Sequence, residues 1–161
     1  LFRSIQNLVD LDHKAVVTTA GTTSDTYIKR NERGKNINVT NVYGRDFDDS
    51  FAILASGKAE AFVMDDNILA GLIAKSSNPH AYEIVGPVLS SEPYAIMLPK
   101  GDHKFKDIVD TSVNDLWKSG QMGKLYHKWF QSPIMPHNIN LNMAPNRSFL
   151  NLQRRPTDAG I

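Results

Sequence analysis

The sequence has no cysteine among its 161 residues. Disulfides, thiolate nucleophiles and cysteine-ligated zinc are excluded at once. The compartment stays open, because a chain without cysteine serves equally in reducing and oxidising surroundings. An excess of charge is also lacking: Lys plus Arg is 18 and Asp plus Glu is 17, a net charge of +1. Tracking a phosphate backbone or adhering to an anionic membrane needs a clustered basic excess, so no nucleic-acid partner is expected. No apolar run reaches the roughly 18 residues of a bilayer-spanning helix.

Catalytic signatures are missing as well. There is no Gly-x-Gly-x-x-Gly loop, no Walker A lysine, no Gly-x-Ser-x-Gly elbow and no Asp-x-Asp-x-Asp-Gly calcium loop. His13, His80, His103, His127 and His137 are scattered without His-x-x-x-His spacing. The pairs Asp48-Asp49 and Asp65-Asp66 are adjacent in sequence, and neighbours on a strand point to opposite faces. Neither pair therefore converges on a metal or forms an acid–base dyad by itself. No catalytic residue, cofactor or metal is expected, and the weight moves from enzyme to binder. Asn38-Val39-Thr40 and Asn146-Arg147-Ser148 match the glycosylation sequon, a pattern too short and frequent to carry an argument.

What is present suits a folded chain. The residues are 41% hydrophobic and 22% charged, enough for a core and far from a disordered composition. The β-branched run Ala15-Val16-Val17-Thr18 predicts a buried strand. Gly21 permits a sharp turn, and Thr22, Thr23 or Ser24 caps a helix running to Arg33. Ile37, Val39 and Val42 predict a second strand by alternation. Asp46, Asp48 and Asp49 suit the positive end of a helix that carries Phe51, Ile53 and Leu54, with Gly57 as its stop. Ala61-Phe62-Val63-Met64 predicts a third strand, and residues 67–75 a helix. This βαβαβα order predicts a parallel sheet with right-handed crossovers. Further strands are expected at Ile84-Val85 and over residues 94–98. Amphipathic helices follow over residues 105–119 and 122–130, the first carrying Phe105, Ile108, Val109 and Leu116 on one face. From Gln131 onward no period is evident, and a surface-draped tail is expected.

Two places carry candidate chemistry. The stretch Thr19-Ala20-Gly21-Thr22-Thr23-Ser24 lies between a strand and a helix. Hydroxyls and unpaired N–H groups gather there at a positive helix end, which suits a carboxylate or phosphate; a plain N-cap explains the same residues. Asp65-Asp66 lies at the carboxyl end of a parallel strand, where open α/β sheets bind ligands. A carboxylate there grips an ammonium group or caps the next helix.

The segments Lys14-Ala15-Val16-Val17, Gly21-Thr22-Thr23-Ser24, Asp49-Ser50-Phe51, Leu54-Ala55-Ser56-Gly57-Lys58-Ala59 and Phe62-Val63-Met64-Asp65-Asp66, in this order, resemble the family 3 extracellular solute-binding proteins of ABC transporters. The glutamate/aspartate-binding branch is the most similar. Glu83-Ile84-Val85-Gly86, Glu92-Pro93-Tyr94-Ala95 and Lys128-Trp129-Phe130-Gln131-Ser132-Pro133-Ile134 extend the likeness to about Asn142. The resemblance implies an α/β fold of the type II periplasmic-binding-protein kind: a parallel-rich sheet flanked by helices, followed by C-terminal helices of the other lobe. Residues 1–88 are then the second ligand-binding lobe, 89–98 the crossover strand and hinge region, and 99–161 the helices and tail that pack on the first lobe. Leu1-Phe2-Arg3-Ser4 is not read as a signal peptide, and most of the first lobe is expected to be missing.

By the same resemblance, Thr19, Gly21 and Thr22 meet the ligand carboxylates and Asp65 pairs with the α-ammonium. Phe47 stands where the acidic-ligand branch has histidine, and it has no hydrogen bond to give. The implied partners are a small polar amino acid, glutamate or aspartate or a relative, and the membrane permease of an importer. The implied location is periplasmic or extracellular. Two other readings stand beside this one. One is a dehydratase or lyase on the same fold, using Asp65 or Asp66 as acid–base. The other is a fragment without binding activity that forms a homodimer through the uncovered Phe105, Ile108, Leu116 and Trp129.

Overall fold

The structure, a computed structural model, describes residues 5–136 and 138–157. Residues 1–4, which bear on the signal-peptide reading, and His137 lie outside the described residues, as do residues 158–161. The chain forms two compact units, Leu1–Val88 and Leu89–Ile161.

The first unit alternates strand and helix: β1 (Ala15–Thr19), α1 (Thr23–Lys35), β2 (Thr40–Gly44), α2 (Phe47–Ala55), β3 (Ala61–Phe62) and α3 (Asp66–Lys75). All pairings are parallel and the strand order is β2-β1-β3. The central β1 is covered on both faces, which is why its sequence is a continuous apolar run instead of an alternation. Val16 and Val17 are fully buried on opposite faces, and Ile28 of α1 is fully buried as well. Each such side chain contributes about 1.5–3 kcal/mol by leaving water. Val17, Phe62, Ala59 and Leu72 form a core cluster, with Phe51, Ile53 and Leu54 of α2 and Ile68 and Leu69 of α3 packed against it. Glu60 fastens the other end of the sheet by accepting from the N–H of Ala15 (3.0 Å) and from Lys14 Nζ (3.4 Å). The Ala15 N–H first, and the Lys14 ammonium after it, hold the Glu60 carboxyl below its usual pKa.

Local signals explain the boundaries. Thr22 caps α1, and Asn36 ends it in the left-handed conformation. Asp46 caps α2 by accepting from the N–H of Asp49 at 2.8 Å. β2 starts later than the alternation of Ile37, Val39 and Val42 predicts. Ile37 and Val39 are buried before the strand begins.

The second unit holds α4 (His103–Lys118), α5 (Gln121–Phe130) and α6 (Arg147–Arg154). Trp117 and Phe149 meet at 5.1 Å between ring centroids, and Tyr126 lies 4.4 Å from Phe149 and 4.6 Å from Phe130. None of the described residues of this unit is fully buried. Phe105, Ile108 and Trp129 are 44%, 63% and 46% exposed.

Two expectations need correction. No strand forms over residues 84–85 or 94–98 among the described residues. β-Branched and aromatic side chains favour a strand only where a neighbouring strand supplies the ladder, and Ile96 and Met97 are 62% and 97% exposed. The region 89–98 is thus an extended connector and not a crossover strand. The tail does not simply drape, either. Asn146 accepts from the N–H of Phe149 at 2.9 Å and starts α6, which delivers Phe149 to the aromatic cluster.

Candidate functional site

The order β2-β1-β3 creates a switch point. From β1 the chain crosses through α1 to one side of the sheet, and from β2 it crosses back through α2 to the other. The carboxyl ends of β1 and β3 are where the two directions part, and open α/β sheets bind ligands in that crevice. Thr19 is the last residue of β1. The β1–β3 register pairs Val17 with Phe62, and the Val63 N–H donates to Val17 O at 3.1 Å. The Thr19–Thr22 turn follows β1 directly, and Asp65 follows β3 by three residues as the N-cap of α3. Both segments lie past the carboxyl ends of paired parallel strands.

The turn is tightly wired. Thr22 Oγ1 donates to the Thr19 carbonyl at 2.8 Å and accepts from the Asp25 N–H at 3.4 Å, and the Thr22 N–H also reaches Thr19 O at 3.3 Å. Ser50 Oγ donates to the Asp46 carbonyl at 2.8 Å and lies 2.8 Å from Thr19 Oγ1. With the Ser50 proton on Asp46, the Thr19 hydroxyl is the donor between the two. Both threonine protons are thus used inside the protein. Gly21 turns the chain at φ +75, with open space where a Cβ would stand. Among the described residues no hydrogen bond to the N–H of Gly21 or Ser24 is present. What this turn offers an anion is main-chain N–H at the positive end of α1.

Asp65 occupies the N-cap position of α3, yet its carboxylate makes no capping hydrogen bond, and the Asn67 N–H bonds Asp66 Oδ1 at 2.8 Å instead. Phe47, the first residue of α2, is 38% exposed. It follows the β2–α2 corner, where Arg45 bonds Asp49 Oδ2 through its N–H (2.9 Å) and its Nε (3.1 Å). The Arg45 guanidinium first, and its N–H with it, keep the Asp49 carboxyl below the usual carboxylate range.

Ser50 and Gly44 belong to this corner and are not among the candidate ligand contacts that the sequence offers. Ser50 is fully buried. A Cβ on Gly44 would lie 2.1 Å from Ser50 Oγ and 2.6 Å from Ser50 Cα. Their signal was faint: a glycine ending a strand, and a serine one turn into an acidic-capped helix. No group of three His, Cys, Asp or Glu side chains able to hold a metal occurs among the described residues.

An open parallel sheet with an anion-suited turn and a carboxylate at its switch point has the architecture of a type II periplasmic-binding-protein lobe. The chain belongs to the bacterial extracellular solute-binding proteins, family 3, whose model matches residues 19–132. It is 40% identical to an L-glutamate/L-aspartate-binding protein of Pseudomonas aeruginosa, over 96% of this chain and 51% of the relative. It is 38% identical to a glutamate/aspartate import solute-binding protein of Escherichia coli, over 98% of this chain and 52% of the relative. The chain thus spans about half the length of these curated relatives. Among solved structures, an ancestral arginine-binding protein bound to arginine matches with a TM-score of 0.67 at 30% identity, over 79% of this chain and 55% of the other. A periplasmic binding protein of Brucella ovis shares the fold, with a TM-score of 0.68 at 21% identity over 93% of this chain and 48% of the other.

Proposed function

We propose that this chain is one wall of the amino-acid site of an ABC importer's solute-binding protein, working with a membrane permease in the periplasmic or extracellular space. The ligand class is a polar amino acid of the glutamate/aspartate kind. The observation that supports this reading is that main-chain N–H groups, Gly21 and Ser24, and a carboxylate, Asp65, each follow the carboxyl end of a strand in one parallel sheet, at the starts of α1 and α3. A zwitterion needs both. On this reading residues 1–88 are the second lobe, 89–98 the hinge region, and 99–161 the helices that pack on the other lobe. Phe47 replaces a hydrogen-bond donor and shifts preference towards a neutral or larger side chain.

A complete site closing on its ligand with micromolar affinity corresponds to about −8 kcal/mol. One wall keeps part of the contacts and does not exclude water, so the expected Kd is in the millimolar range. An amide NMR titration with L-glutamate, L-aspartate, L-glutamine and a neutral amino acid tests this. Shifts centred on Gly21, Thr22, Thr23 and Asp65 for one ligand are expected. Shifts elsewhere, or sub-micromolar binding by this chain alone, would sink the one-wall reading. The homodimer remains part of the proposal because Ile108 and Trp129 are 63% and 46% exposed. A monomeric mass by light scattering at high concentration removes it.

A further inference from the structure

We infer that Ser50, on α2 and outside the crevice, is the positioning residue of the anion-binding turn. This inference rests on the function proposed above and names the residue that shapes its site. Ser50 is fully buried and Thr19 is only 5% exposed, so neither hydroxyl is placed as a broad ligand contact. Their oxygens meet at 2.8 Å, and Ser50 Oγ passes its own proton to the Asp46 carbonyl. That carbonyl also accepts the Ser50 N–H at 3.0 Å. The hydroxyl chain therefore runs in one direction, from Thr19 through Ser50 to Asp46.

From Thr19 the wiring continues into the turn. The Thr19 carbonyl accepts both Thr22 Oγ1 and the Thr22 N–H, and the Ala20 N–H is held by Gly44 O at 3.0 Å. Ser50 thus joins the β1–α1 turn, which carries the N–H donors, to the β2–α2 corner, which carries Phe47. Two loops of the site are held as one surface. The bare Gly44 is what lets Ser50 approach closely enough, since any Cβ there would overlap it. Donors held in place before the ligand arrives do not have to be ordered by it, and preorganisation of this kind strengthens binding.

Three variants of this chain test the inference, each followed by amide NMR without ligand and then with L-glutamate. Ser50→Ala removes the central hydroxyl. Thr19→Val removes the other partner at nearly constant volume, and Thr19→Ser restores the hydroxyl. Without ligand, Ser50→Ala and Thr19→Val are expected to move the amide resonances of Ala20, Gly21 and Thr22, and Thr19→Ser to return them towards wild type. A change at residue 19 moves the adjacent Ala20 amide by itself, so the decisive signals are Gly21 and Thr22; if these stay unmoved in Thr19→Val the inference is overturned even if Ser50→Ala fails to fold. With ligand, Ser50→Ala is expected to weaken L-glutamate binding about tenfold with its circular dichroism unchanged. Equal affinity in wild type and Ser50→Ala overturns the inference. If wild type binds no amino acid, the proposed function fails, and the ligand-free amides still decide whether Ser50 positions the turn.

Discussion

Replacing Gly44 with alanine is the sharpest test of how the site is built. The new Cβ would sit 2.1 Å from Ser50 Oγ and 2.6 Å from both Ser50 Cα and Ser50 N. The hydroxyl can rotate away, but the backbone of α2 cannot. Comfortable carbon contacts begin near 3.5 Å, so strand and helix must part by about 1 Å. Overpacking of a rigid interior costs about 1–3 kcal/mol. Losing the Thr19–Ser50 hydrogen bond adds about 1 kcal/mol. The expected loss is thus about 2–4 kcal/mol, large against a total stability of about 5–15 kcal/mol. Gly34→Ala is the matched control. It lies inside α1 with nothing within 4 Å of its Cβ position, so it should stabilise by about 0.5–1 kcal/mol. The two glycine substitutions therefore have opposite signs. The probe must be chosen with care, because Trp117 and Trp129 both lie in the second unit and their fluorescence does not report the first. Urea unfolding followed at the amides of Val16 and Val17 reads the correct unit. Both variants falling within about 0.5 kcal/mol of wild type would refute the close-approach argument.

Other consequences are equally direct. Asp65→Asn should weaken amino-acid binding about tenfold or more, since a hydrogen bond to a charged group contributes about 1.5–3 kcal/mol; calorimetry or NMR titration checks it, and an unchanged Kd would remove Asp65 from the site. Phe47→His should raise affinity for L-glutamate relative to L-glutamine by restoring a donor at the start of α2, and an unchanged ratio would show that this position does not read the side chain. Stability should fall on acidification. The Asp49 and Glu60 carboxyls are held below their usual pKa in the folded chain. The stability they give is complete above the unfolded carboxylate pKa of about 4 and is lost as pH falls through the folded values. Glu60→Gln should accordingly lower urea stability at pH 7 and flatten its acid dependence; a curve parallel to wild type would contradict the assignment.

Much of the first unit was legible because its signals are local and mutually consistent. A buried β-branched run, polar caps at Thr22 and Asp46 and an acidic first turn on α2 fix strand, helix and strand within short windows. The later part of the chain was less legible, for two physical reasons. Residues 84–85 and 94–98 have strand composition, but a strand exists only where another supplies its ladder, and no window of sequence contains that information. α6 is short and its apolar face is satisfied by Trp117 and Tyr126, thirty-odd and twenty-odd positions earlier in the chain. Its cap, Asn146, also begins the sequon Asn146-Arg147-Ser148, and no apolar period marks the helix that follows.

The site divides along the same line. The residues proposed to face a ligand carry chemistry that a sequence displays: a glycine that permits the left-handed turn, hydroxyls at a helix start, a carboxylate after a strand. Residues that hold those groups in place display nothing of the kind. Ser50 and Gly44 are ordinary residue types, made important by a 2.8 Å contact between oxygens thirty-one positions apart and by a space that no side chain can share. The hydroxyls carry contacts that composition does not display. Thr19 and Thr22 are the right residues for an anion turn, yet their protons are engaged by Ser50 and by the Thr19 carbonyl. Among the described residues, the N–H groups left without a partner in this stretch, Gly21 and Ser24, belong to the main chain, which is present at every position in every sequence. What distinguishes this turn from the other helix starts of the chain is that it follows the central strand of the sheet, next to the strand that leads to Asp65, where the sheet changes direction.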